Sequence, residues 1–265
     1  MELPIFLFSL PRSGSTLLQK VLMSHHAIAS TAEPWLLLPH LYAHREIGVL
    51  AEYGHQISYS AVNEFINGLE NKRSDYYDAL GEFLGGLYEK QCSKNEKYFL
   101  DKTPRYYNII PEIHEVFPDA KFIFLFRNPV HIMSSMMNTW SKGNLKYLYA
   151  FERDLKQGPR LLSEGYELLK NKSYALRYED FVKDPKKITK EICEYLEIKF
   201  DISMLDDFSH QNTEGNILIG DTTGEQSFIS EKSLHKWKNT FDSTFRKKVA
   251  YKYILDYPQS SAIFR

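Results

Sequence analysis

Cysteine is nearly missing from this chain of 265 residues: Cys92 and Cys193 stand alone, in no spacing that serves a metal or a redox pair. A disulfide scaffold is thereby excluded, and both read as buried thiols of a reducing compartment. An excess of one charge is missing as well. With 33 Lys and Arg against 34 Asp and Glu, the net charge of −1 offers no broad basic field for nucleic acid, so positive charge must act locally. No stretch approaches the roughly 20 apolar residues that span a bilayer. Residues 1–8 leave no room for a charged leader and an apolar core, because residues 5–8 are needed for a strand. The expectation is a soluble, cytoplasmic protein without a transmembrane segment.

What is present begins at Ser9-Leu-Pro-Arg-Ser-Gly-Ser-Thr16. It follows the apolar run Pro4–Phe8 and precedes Leu17–Met23, which has helical spacing. Strand, tight turn and helix in that order aim free backbone N–H groups and the positive helix end at an anion. The spacing is that of a nucleotide P-loop, with two departures. Ser9 stands where the first Gly belongs, and Ser15 where the phosphate-gripping Lys belongs. A cation sits inside the loop instead, at Arg12. Within that loop Gly14 permits close backbone approach, while Ser13, Ser15 and Thr16 offer hydroxyls to an anion, one of them as a possible helix cap.

A second departure separates nucleotide classes. Lys121–Phe126 reads as a buried strand. In P-loop NTPases such a strand ends in an Asp that helps hold Mg²⁺. Here Arg127 follows, which attracts an anion and repels a metal. A P-loop kinase or NTPase is therefore the weaker reading, and a scaffold that merely binds nucleotide is weaker still.

Pro11–Leu18, followed by Arg127-Asn-Pro129 with Ser135 eight residues beyond Arg127, resembles the sulfotransferases that use 3′-phosphoadenosine 5′-phosphosulfate (PAPS). The resemblance thins over the rest of the chain but covers most of it, and implies one sulfotransferase domain over residues 1–265. It implies a soluble bacterial member, a parallel sheet flanked by helices, and sulfuryl transfer from PAPS without a metal, leaving PAP. In that family the first loop grips the 5′-phosphosulfate, while Arg127 and Ser135 would grip the 3′-phosphate. Lys102, in Asp101-Lys-Thr-Pro104, resembles the family's strand-end lysine that stabilises the leaving oxygen. Glu33, in Ala32-Glu-Pro34, lies 21 residues after Arg12. The same offset separates the loop Arg from the catalytic Glu of tyrosylprotein sulfotransferases, which implies that Glu33 is the general base. Tyr178, in Tyr178-Glu-Asp180, resembles the tyrosine that contacts the adenine. Near the C-terminus, Trp237-Lys-Asn239 resembles a family segment whose basic, glycine-rich arm is absent here. That leaves Lys236 and Lys238 as candidates for the 3′-phosphate.

Other residues compete for these roles. His114 is the rival base, although its helical surroundings favour a structural role. His25 and His26 end the first helix, where a cation suits the dipole. His40, His44 and His55 share no metal-ligand spacing. The acceptor stays open among a glycan, a small hydroxylated molecule and a tyrosine, and the oligomeric state is not legible.

The same residues set the fold class. Strands are expected at 4–9, 27–31, 97–101, 121–126 and 173–177. Helices are expected at 16–24, 58–70, 74–94, 106–117, 130–140, 145–170, 185–196 and 230–253. Alternation of the two implies a parallel sheet with right-handed crossovers and helices on both faces. Residues 208–229 lack periodicity and read as a long, lid-like loop.

Overall fold

The computed structural model describes residues 3–93, 96–206, 208 and 228–255. Five strands form its sheet: β1 (Leu3–Ser9), β2 (Ile28–Ser30), β3 (Tyr98–Asp101), β4 (Lys121–Phe126) and β5 (Ser173–Arg177). Their order is β2-β3-β1-β4-β5, and each pairing is parallel. All five strands stand where the sequence puts them.

The strands read as unbroken apolar runs because both faces of the sheet are covered. Within them a period of two still sorts the side chains. Phe6, Phe8, Phe99, Phe122, Phe124 and Phe126 face one core, while Ile5, Leu7, Leu100, Ile123 and Leu125 face the other. The aromatic face is continuous: Phe6 stacks on Phe8 and Phe122, and Phe124 on Phe126, at centroid distances of 6.2 Å.

Eleven α-helices are seen among the described residues: α1 (Ser15–Met23), α2 (Leu37–Tyr42), α3 (His55–Asn67), α4 (Arg73–Gln91), α5 (Ile110–Val116), α6 (Pro129–Thr139), α7 (Glu152–Leu169), α8 (Tyr178–Lys183), α9 (Pro185–Tyr195), α10 (Trp237–Thr240) and α11 (Thr244–Leu255). Residues of α2, α4, α5, α6 and α7 pack on the aromatic face, and those of α1, α8 and α9 on the aliphatic face.

The differences from expectation have local causes. The helix expected over 230–253 is broken, because Ser243 Oγ accepts the Arg246 N–H and starts a new helix at Thr244. The 145–170 stretch opens as 3₁₀ helix (Leu145–Phe151) before α7, with Asn144 Oδ1 accepting the Lys146 N–H. Tyr106–Asn108 is likewise a 3₁₀ turn before α5, where Pro111 suits a helix start. Both α2 and α8 lie in stretches the sequence leaves irregular or reads as strand end. The long loop expected at 208–229 falls outside the described residues, apart from Phe208, Phe228 and Ile229. Among the described residues, no helix is long and apolar enough to cross a membrane.

Candidate active site

In a parallel sheet the residues that follow the strands line one crevice. Five predicted residues do so here: Arg12 after β1, Glu33 after β2, Lys102 after β3, Arg127 after β4 and Tyr178 after β5. The sequence separates them by up to 166 positions, and the sheet order returns them to one edge.

The loop after β1 is bent at two left-handed positions, Arg12 at φ 66° and Gly14 at φ 91°. Gly14 caps α1 and lies under the Tyr178 ring, so close that a Cβ there would come within 2.3 Å of it. Only glycine meets both demands. Ser13 and Ser15 are buried beside it, and Ser13 Oγ has no hydrogen-bond partner among the described residues.

One end of the crevice gathers cations. Arg127 donates from Nη1 to the Arg12 carbonyl oxygen (2.9 Å) and lies 4.2 Å from the centre of the Tyr178 ring. Its Nε is buried, with no hydrogen-bond partner among the described residues. Burial pulls the Arg127 pKa below the ordinary arginine value; Tyr178 and Glu179 oppose that, and the Arg12 charge adds to it. Arg12 donates from Nε to Ser135 Oγ (3.1 Å) and from Nη2 to Thr139 Oγ1 (3.4 Å). The predicted set of Arg12, Arg127, Ser135 and Tyr178 is thus one cluster. Buried donors left without partners carry a desolvation cost that an anion would relieve.

The other end holds an ion pair. Lys102 Nζ donates to Glu33 Oε1 at 2.9 Å and reaches Thr16 Oγ1 at 3.5 Å. The side chains are 2% and 10% exposed, so the pair is shielded from water on most sides. Glu33 Oε2 also accepts the Trp35 indole N–H (3.2 Å). Thr16 belongs to the first turn of α1, so Lys102 touches the anion loop and the carboxylate at once.

The histidines lie elsewhere. His114 stands edge-on to Phe122, near the start of β4 and so at the opposite end of the sheet. His25 contacts the Lys199 carbonyl and accepts the Ala27 N–H, which holds the end of α1 in place. Lys236 and Lys238 are exposed.

Four partners escaped the sequence reading. Thr139 and Trp140, at the end of α6, receive Arg12, with Trp140 5.9 Å from its guanidinium. Ser233 Oγ lies 3.0 Å from the Tyr178 hydroxyl, tying the C-terminal segment to the site. Trp35 bonds Glu33 directly and is held at φ 57°. Nothing in spacing points to Thr139 or Ser233; Trp35 could be sought as the aromatic that follows Glu-Pro. Beside the ion pair, Trp35, Tyr42, Arg105, Tyr107 and Asp154 line a cleft of about 560 Å³. Among the described residues, no group of three or more His, Cys, Asp or Glu gathers as a metal site.

Known proteins resemble this chain in sequence or in fold. Nodulation protein NoeE of Sinorhizobium fredii is 33% identical over 140 residues, which is 53% of this chain and 32% of NoeE. A protein of Aquifex aeolicus is 23% identical over 249 residues, 89% of this chain and 30% of its own length. The chain therefore spans about a third of the length of the curated relatives it matches. Among solved structures, the sulfotransferase domain from the curacin biosynthetic pathway superposes with a TM-score of 0.62 at 21% identity, covering 95% of this chain and 97% of that one. Mouse sulfotransferase SULT7A1 complexed with PAP gives 0.55 at 15% identity, covering 100% and 88%. At such identities these two likenesses show the shared fold. The sulfotransferase family model matches residues 4–202, three quarters of the chain, and the chain belongs to the sulfotransferase family.

Proposed function

We propose that the protein transfers the sulfuryl group of PAPS to an acceptor hydroxyl or amine by in-line displacement, with no metal in the reaction. The observation that carries this reading is the arrangement along the loop after β1. An ion pair of Lys102 and Glu33 lies at its Thr16 end, and the cluster of Arg12, Arg127 and Ser135 lies at its other end. The complex of the mouse neighbour with PAP supports the same choice of nucleotide.

In this reading the backbone of Arg12–Thr16 and the hydroxyls of Ser13, Ser15 and Thr16 hold the phosphosulfate, with Gly14 letting it approach. Arg127 and Ser135 take the 3′-phosphate, and Tyr178 closes the nucleotide side. Lys236 and Lys238, on the segment that Ser233 ties to Tyr178, stay candidates for that phosphate. Charge builds on the bridging oxygen as the S–O bond breaks, and Lys102 is the cation beside it. A sulfonate carries less charge than a phosphoryl group, so side-chain cations suffice. Glu33 takes the proton of the acceptor as oxygen or nitrogen attacks sulfur. Donation from Lys102 passes from Glu33 to the bridging oxygen during transfer, so the resting ion pair is the reactive pair in its ground state. The cleft bounded by Trp35 and Arg105 is where the acceptor, whether glycan, small hydroxylated molecule or tyrosine, would enter.

Thermal stabilisation tests the nucleotide. Adenosine 3′,5′-bisphosphate should raise the melting temperature in EDTA, and ATP with Mg²⁺ should not. A shift with ATP-Mg²⁺ alone would overturn the reading. Transfer from ³⁵S-labelled PAPS to panels of glycans, phenols and tyrosine peptides then identifies the acceptor.

A further inference from the structure

Asp101, the last residue of β3, is fully buried, and the neighbouring Lys102 is paired with Glu33 instead of with it. Its carboxylate is an acceptor for three hydroxyls. Tyr88 donates to Oδ2 at 2.6 Å, Tyr106 to the same oxygen at 2.9 Å, and Thr103 to Oδ1 at 3.0 Å. Two of these hydroxyls receive a backbone N–H from the segment that follows Glu33. The Trp35 N–H donates to Thr103 Oγ1 (3.2 Å), and the Leu37 N–H to the Tyr106 hydroxyl (3.2 Å).

The directions of these bonds are forced. A hydroxyl that accepts a backbone N–H has its own hydrogen to give, and Asp101 is the acceptor within reach of both. Burial pushes the Asp101 carboxyl up to about 6, with the three hydroxyls pulling the other way, so at neutral pH it is ionised and acceptor-only, as three donors require. The segment they hold needs holding. Trp35 sits at φ 57°, a left-handed conformation that a bulky residue keeps only where its surroundings over-determine it. Its indole in turn bonds Glu33 Oε2.

We propose that Asp101 is a positioning residue: through Thr103 and Tyr106 it fixes the backbone at Trp35 and Leu37, and so sets Glu33 against Lys102. One carboxylate thus locks the strand end that carries Lys102 to the segment that carries Glu33. The inference rests on the sulfuryl-transfer reading for its consequence in catalysis, though not for the bonds themselves.

Thr103→Val tests it, because valine keeps the shape and removes the hydroxyl that links Asp101 to Trp35. Hydrogen exchange should accelerate at least tenfold in peptides covering residues 32–38 while β1 and β4 stay protected. Hydrolysis of ³⁵S-labelled PAPS to sulfate and PAP, with water as acceptor, should fall about tenfold with PAP affinity within twofold of wild type. Thr103→Ser should restore both, and Asp101→Asn should reproduce the valine result. Tyr98→Phe is the control: it removes a buried bond to the Leu196 carbonyl at the far end of β3, and should lower the melting temperature without touching exchange at 32–38 or hydrolysis. Unchanged exchange at 32–38 in Thr103→Val, or equal acceleration in Tyr98→Phe, overturns the proposal. If wild type neither binds PAP nor hydrolyses PAPS, the sulfuryl-transfer reading fails, while the exchange result still decides whether Asp101 holds the segment.

Discussion

The two ends of the crevice solve the burial of charge in opposite ways. At the Lys102 end each charge is answered within the protein, by Glu33 at 2.9 Å. At the Arg127 end a guanidinium leans on a ring and a carbonyl, and its Nε faces no partner among the described residues. The first end has its two opposite charges already in contact. The second is left electropositive, and its buried donors are costly until an anion arrives. Chemistry and nucleotide binding should therefore separate under mutation: the Lys102 end should govern turnover, and the Arg127 end affinity.

Lys102→Ala should break this division most visibly. Loss of the donor at the leaving oxygen is expected to lower turnover of PAPS by 10²–10³-fold. Donor affinity should change by less than about threefold, because the interaction strengthens only as charge develops. Near-normal turnover in steady-state kinetics would reduce Lys102 to a partner that neutralises Glu33. Glu33→Gln keeps the shape of the second member and removes its basicity. A loss of roughly 10² in transfer to an acceptor is expected, with PAP affinity retained. Full activity in a protein with a lowered melting temperature would reject the base role. The search would not then move to His114, which stands at the other end of the sheet.

Arg127→Ala sharpens the comparison from the other side. It should weaken binding of adenosine 3′,5′-bisphosphate by about 2–4 kcal/mol, as for loss of a charge-assisted pair. Binding of adenosine 5′-phosphosulfate, which lacks the 3′-phosphate, should barely change. Equal losses in calorimetry for both ligands would sink the assignment. Gly14→Ala is expected to cost about 2 kcal/mol of stability, since it combines a left-handed φ with a Cβ 2.3 Å from the Tyr178 ring. An unchanged melting temperature would mean that the loop relaxes freely, and that its shape is not what sets the nucleotide side.

Much of this was legible because it is local. The apolar runs 4–9 and 121–126, the Ser-Gly-Ser-Thr turn and the Asp-Lys-Thr-Pro turn each carry their own structural instruction, and parallel pairing then brings their ends together. That Arg12, Arg127 and Ser135 come together was legible for the same reason: each member sits at a strand end or one to two helical turns beyond it. What was not legible depends on contacts far apart in sequence. Arg12 reaches Thr139 across 127 positions and Tyr178 reaches Ser233 across 55, with no spacing rule to announce either. Helix breaks at Phe241–Ser243 and at Phe151 follow from caps and 3₁₀ turns that a single apolar period hides. Asp101 stood in view beside Lys102, yet its role lies in hydroxyls drawn from α4, from the 3₁₀ turn at Tyr106 and from Thr103.

Asp101 also supplies the smallest of the expected effects, and it bears on the Lys102 end of the crevice. Two influences compete for its proton. Burial favours the neutral acid, while the hydroxyls of Tyr88, Tyr106 and Thr103 and the nearby charge of Lys102 favour the carboxylate. Burial wins, and the carboxyl is raised from 3.8 to about 6 in the folded chain. Between those values the folded state binds more protons than the unfolded one, so this group's contribution to stability falls as pH rises from about 4 to 6, with a slope of at most about 1.4 kcal/mol per pH unit. Asparagine has no such slope. The melting-temperature gap between wild type and Asp101→Asn should therefore be widest at about pH 4, narrow as pH rises from about 4 to 6 and stay constant above that. A gap that widens with pH would mean that the hydroxyls outweigh burial and that the folded carboxyl titrates below 3.8. A gap that narrows as expected means that the chain keeps a buried charge at neutral pH at some expense to its stability, as it would if that charge were retained to hold the segment bearing Glu33.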